Sequence, residues 1–143
     1  MDITDPAKAL AADIELESSA AKHMGTVLIV DDEELVLDVC KEMLVNLGFS
    51  VLTAENGLEA VEVFRRQASD IDCVLLDLSM PKMDGLAAFV EIIRIRPDAK
   101  VILSSGYHEH EASGRFHDKK PAGFIQKPYT LNNLRSAMDR ILK

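Results

Sequence analysis

From Thr26 onward the chain alternates short, almost wholly apolar runs with longer stretches whose apolar residues recur at a helical period. No other feature restricts its fold as much. The runs at 27–30, 50–54, 72–76, 100–104 and 122–126 have the length of buried strands. Between them, Leu35, Val36, Val39, Cys40, Met43, Leu44 and Leu47 mark a first helix that ends at Gly48, and Leu58, Val61 and Phe64 mark a second. Leu86, Phe89, Val90 and Ile93 mark a third, stopped near Pro97. A short helix is predicted at 109–117, weakened by Gly114, and Leu131, Leu134, Ala137, Met138, Ile141 and Leu142 form a last one. Five βα units in succession require a parallel sheet, because right-handed crossovers deposit helices on both of its faces. Strands with apolar residues at nearly every position fit burial on both sides. The run at 50–54 is less apolar and is expected at an edge.

The 143 residues suffice for one domain. A formal charge of −8 opposes nucleic-acid binding, which needs a basic stripe, and opposes an anionic membrane surface. No apolar stretch approaches the roughly 20 residues that span a bilayer. The acidic N-terminus is not a secretory signal. Cys40 and Cys73 lie in apolar contexts without paired spacing and read as reduced, buried thiols of a cytoplasmic protein. Residues 1–25 differ in composition, being rich in alanine and acidic groups. They read as a linker or cloning-derived leader, with a helix start at Asp5-Pro6, and residues 26–143 as the domain.

Polar groups appear where the strands end. Asp31 and Asp32 follow the first run, Asp77 the third, Ser104 closes the fourth, and Lys127 follows the fifth. In a parallel sheet these ends share one edge, where open α/β sheets bind ligands. Three carboxylates, a hydroxyl and an ammonium there suit a divalent cation and a phosphoryl group. Asp77 would be the acceptor, since a carboxylate attacks phosphorus to form an acyl phosphate.

The stretches VLIVDDE at 27–33, VLLDLSMPKMDG at 74–85, VILSSGY at 101–107 and FIQKP at 124–128 make residues 26–143 resemble the receiver domain of bacterial two-component response regulators. The resemblance implies a flavodoxin-like, doubly wound α/β fold with a five-stranded parallel sheet in the order 2-1-3-4-5 and five helices. It implies Mg2+ bound by Asp32, Asp77 and the backbone carbonyl of Ser79, with Asp31 acting through water. Lys127 would balance the phosphoryl charge, Ser104 would donate to a phosphoryl oxygen, and Phe124 would be a switch aromatic. The peptide bond before Pro128 would be cis. The phosphoryl donor would be a histidine kinase or a histidine phosphotransfer protein, and the leader and the wording SSGY…GFIQKPY resemble receivers of hybrid sensor kinases. The chain would catalyse only its own phosphorylation and dephosphorylation.

Rival readings exist for each part. Asp31 and Asp32 suit a helix N-terminus as caps, Lys127 a solvated surface, and Phe124 an ordinary core. Ser105 competes with Ser104 as the responding hydroxyl. His108, His110 and His117 read as solvent-exposed, and Met80, Met83 and Met138 as packing. An aspartyl-phosphate phosphatase would carry a second Asp after its nucleophile, whereas Asp77-Leu78-Ser79 has none. A flavin carrier would need a hydroxyl- and glycine-rich loop where the acidic doublet stands. A receiver-like docking module that is never phosphorylated is the third rival.

Overall fold

The computed structural model describes residues 24–78, 85–105 and 121–142. Its elements are β1 (Gly25–Val30), α1 (Glu34–Asn46), β2 (Phe49–Ala54), α2 (Gly57–Gln67), β3 (Cys73–Asp77), α3 (Gly85–Ile95), β4 (Val101–Ser105), β5 (Gly123–Gln126) and α4 (Leu131–Leu142). The strands form one sheet in the order β2-β1-β3-β4-β5, and every pairing is parallel. This is the doubly wound, flavodoxin-like order. Strand bounds differ from the sequence reading by one or two residues, and Asp77 is the last residue of β3 rather than the first beyond it. Among the described residues there are four helices, against five expected; the helix predicted at 109–117 lies outside them. The segment 1–23 lies outside them too.

Side chains alternate across a strand, and the sheet divides its apolar residues accordingly. Leu28 and Val30 of β1, with Val74 and Leu76 of β3, face Ala60, Val61 and Phe64 of α2 and Ala88, Phe89 and Ile92 of α3. Val27, Ile29, Cys73 and Leu75 face Leu37, Cys40 and Leu44 of α1 and Leu134, Ala137 and Met138 of α4. Phe64 and Phe89 are fully buried, each worth about 2–3 kcal/mol in apolar burial. β2 lies at an edge, buried only at its two ends with exposed or half-buried positions between, which explains its weaker apolar signal.

In α1 the apolar residues that marked the helix divide between two faces, and Leu37, absent from them, joins the buried one. Leu37, Cys40 and Leu44 point inward, whereas Leu35 is 77% exposed and Val39 47%. Two apolar stripes run along this helix, and periodicity could not say which one the sheet takes. Capping also differs between helices. At α2 the Asn56 side chain accepts from the Glu59 amide at 2.8 Å, while Glu59 accepts from the Glu55 amide at 2.6 Å. At α1 the N-cap is Glu33, which makes no side-chain cap bond. Of the acidic doublet just before it, Asp31 takes up the amide of this N-cap residue. Among the described residues no helix is long and apolar enough to cross a membrane.

Candidate phosphoryl-acceptor site at the strand ends

The carboxyl ends of β1, β3, β4 and β5 gather the residues singled out by sequence. Asp77 follows Cys73 and Leu75 in the alternation, so it lies on the α1/α4 side of the sheet, and it is only 3% exposed. Ser104 is its register partner on β4 and is 1% exposed. The Leu78 amide donates to the Ser104 carbonyl at 2.9 Å, which continues the ladder past Asp77. Gly85 opens α3 against this turn, its amide donating to the Leu78 carbonyl at 3.1 Å. A Cβ on Gly85 would run into the Asp77 carbonyl and the Leu78 Cα, so only glycine permits this approach.

Asp31 is fully buried and Asp32, beside it, is exposed. Asp31 Oδ1 accepts from the Glu33 amide at 2.9 Å. Its Oδ2 lies 2.6 Å from Lys127 Nζ, an ion pair in which the buried oxygen receives no well-directed hydrogen bond. Lys127, carried past β5, also reaches Asp77 Oδ2 at 3.2 Å, and Glu33 stands 3.8 Å away on the outer side. Burial by itself would depress the lysine pKa, but the Asp31 and Asp77 carboxylates together outweigh it and raise it. Lys127 is thus held as a cation between two carboxylates, not as a solvated surface lysine. The Lys127–Pro128 peptide bond is cis.

Asp31, Asp32 and Asp77 present carboxylate oxygens that all lie within 4.8 Å of one another. One lysine does not neutralise three carboxylates. An oxygen-rich anionic cluster of this kind fits a hard divalent cation. Ser79, assigned a carbonyl ligand by resemblance, lies outside the described residues, as do Met80, Met83, His108, His110 and His117.

Phe124 pairs in register with Leu103 and is half-buried against the α2/α3 cluster, on the opposite face from Ser104. One contact of the site escaped the sequence reading: the Tyr129 hydroxyl donates to Ser104 Oγ at 2.6 Å. Its signal was an aromatic residue with a polar tip immediately after Lys127-Pro128, in a chain with only two tyrosines. Tyr129 also borders, with Lys127 and Pro128, an open apolar groove completed by Glu33, Leu35, Val36 and Val39 of the α1 segment.

Residues 27–139 match the family model of the response regulator receiver domain. The chain belongs to the response regulator receiver family. Among curated receivers, it is 33% identical over 117 residues to the chemotaxis protein CheY of Bacillus subtilis, covering 81% of this chain and 96% of that one. It is likewise 33% identical over 119 residues to the sensor kinase CckA of Brucella abortus. That alignment takes in 83% of this chain but spans only 13% of the kinase's length. Among solved structures, a chain of the CheX-CheY-BeF3-Mg+2 complex from Borrelia burgdorferi superposes with a TM-score of 0.78 at 29% identity. That match covers 83% of this chain and 90% of the other.

Proposed function

We propose that this receiver accepts a phosphoryl group on Asp77 from a phosphohistidine of a sensor kinase or phosphotransfer protein and thereby changes the surface it offers a downstream partner. The observation that carries the reading is the setting of Asp77: a buried carboxylate ending a central strand, 3.2 Å from Lys127 Nζ and clustered with Asp31 and Asp32. Membership of a family whose relatives include a sensor kinase and a chemotaxis regulator supports it.

In the transfer, an Asp77 oxygen attacks phosphorus as the phosphorus–nitrogen bond of the donor breaks. The freed imidazole takes a proton from solvent, and Asp77 becomes an acyl phosphate. Such a reaction depends on positioning and charge neutralisation more than on covalent help. Lys127 supplies a fixed positive charge beside the new phosphoryl oxygens, and Ser104 a hydroxyl on the neighbouring strand. Asp32, Asp77 and Asp31 would hold a magnesium ion, which when bound offsets the charge of the carboxylates and the phosphoryl oxygens. The BeF3 and Mg+2 held by the Borrelia complex favour that ion at an acidic cluster of this kind. Movement of Ser104 toward the phosphoryl group, with Phe124 repacking across the sheet, would alter the surface near β4 and β5. On this reading the chain turns over no separate substrate and works in the cytoplasm.

The test is intact-protein mass after incubation with acetyl phosphate and magnesium, for wild type and Asp77→Asn. A single phosphoryl adduct, dependent on magnesium and lost in the variant, is the expected result. A folded wild type without any adduct would overturn phosphorylation and favour the docking-module reading.

A further inference from the structure

Tyr129 has no part in the transfer just described, yet it makes the side-chain hydrogen bond to Ser104. Its hydroxyl donates to Ser104 Oγ at 2.6 Å, and Ser104 is the register neighbour of Asp77. A serine hydroxyl has one hydrogen to give and two lone pairs that receive. When the phenol fills a lone pair, the serine hydrogen stays available for another acceptor, and a chain of hydrogen bonds strengthens each member in the same sense. Burial raises the phenol's pKa above its ordinary value, against a smaller lowering by the Ser104 bond and with small additions from Cys40, Asp31 and Asp77, so the group remains protonated. The Tyr129 ring meanwhile packs on the α1/α4 cluster, fixing where that donor points.

We propose that Tyr129 is a positioning residue for phosphoryl capture, holding the Ser104 hydroxyl so that its hydrogen is presented to a phosphoryl oxygen on Asp77. The inference rests on Asp77 being the phosphoacceptor. Tyr129 acts only through Ser104 and does not touch the phosphoryl group.

The experiment measures the affinity of the full chain for beryllofluoride with magnesium by calorimetry. It compares wild type, Tyr129→Phe, Ser104→Ala and the double variant, with urea stability recorded for each. Phenylalanine keeps the ring and removes only the donor. Tyr129→Phe is expected to bind about fivefold more weakly, the size of one net hydrogen bond. Ser104→Ala binds more weakly still, and the double variant no more weakly than Ser104→Ala alone. In a Ser104→Thr background, which keeps a hydroxyl, removing the phenol oxygen weakens binding again. Equal or tighter binding by Tyr129→Phe overturns the proposal, tighter binding meaning that the phenol competes with the phosphoryl group for Ser104. Additive losses in the double variant overturn it too. If wild type itself binds no beryllofluoride, the phosphoacceptor reading fails and this inference fails with it. Failure confined to the Tyr129 comparison leaves that reading intact.

Discussion

Lys127 lies closer to Asp31 than to Asp77: 2.6 Å separates its Nζ from Asp31 Oδ2, against 3.2 Å to Asp77 Oδ2. The ammonium therefore bridges the ends of β1 and β3 from beyond β5. Asp31 is fully buried, so Lys127 is the cation its carboxylate depends on. Lys127→Met should lower stability by about 2 kcal/mol at neutral pH, because it strands a buried carboxylate. Urea unfolding monitored by circular dichroism measures this, and added magnesium should recover part of the loss.

Magnesium should stabilise the wild-type chain by itself. At a concentration ten times its dissociation constant the gain is about 1.4 kcal/mol, or a rise in melting temperature of about 5 °C for a domain of this size. Asp32→Asn should lose most of that rise, since Asp32 is the exposed member of the cluster and the one most open to an entering ion. Chelation with EDTA should return the wild type to its metal-free melting point.

Leu35 and Val39 expose apolar surface beside the Asp77 edge of the sheet, in the groove that Lys127, Pro128 and Tyr129 complete. If a phosphohistidine donor seats against this face, Val39→Asp should slow transfer from it by about tenfold, the cost of one misplaced charge in an apolar contact. Labelling by acetyl phosphate, which needs no docking, should be unchanged. Comparing the two donors by mass spectrometry separates docking from chemistry.

Cys40 and Cys73 should resist alkylation by iodoacetamide at pH 8 in the folded protein and both react in urea. Burial pushes each thiol up to about 12; at Cys40 Asp31 adds to this more than Lys127 opposes it, whereas at Cys73 lowering by Lys100 outweighs the small raising by Asp72 but not the burial. Unfolded, the thiols ionise near 8.5, so above that pH the unfolded chain sheds protons the folded chain keeps. Stability should fall as pH rises from about 9 toward 12. Lys127, also raised in the folded state from its ordinary 10.5, adds loss in the same direction at the upper end of that range.

Gly85→Ala should destabilise the fold by about 2 kcal/mol or more, because the added methyl meets backbone rather than a movable side chain. The same substitution should slow phosphorylation, since the backbone that must shift is that of Asp77 and Leu78. Urea unfolding and adduct formation measure the two effects separately.

The sequence by itself determined the βα rhythm, the buried character of the central strands, the edge position of β2 and the residues that end each strand. These follow from local pattern: a strand buried on both faces must be apolar at nearly every position, and a polar residue is tolerated only where the strand stops. Other matters depended on partners distant in the chain. Periodicity gave α1 two apolar stripes, and only packing against β1 and α4 decided that Leu37, Cys40 and Leu44 turn inward while Leu35 and Val39 stay outside. That Lys127 pairs more closely with Asp31 than with Asp77, and that Tyr129 reaches Ser104 across 25 residues, was likewise invisible in the string of letters. Side chains of different strand ends meet only after the sheet sets their order and register, so tertiary structure alone could decide which charge faces which.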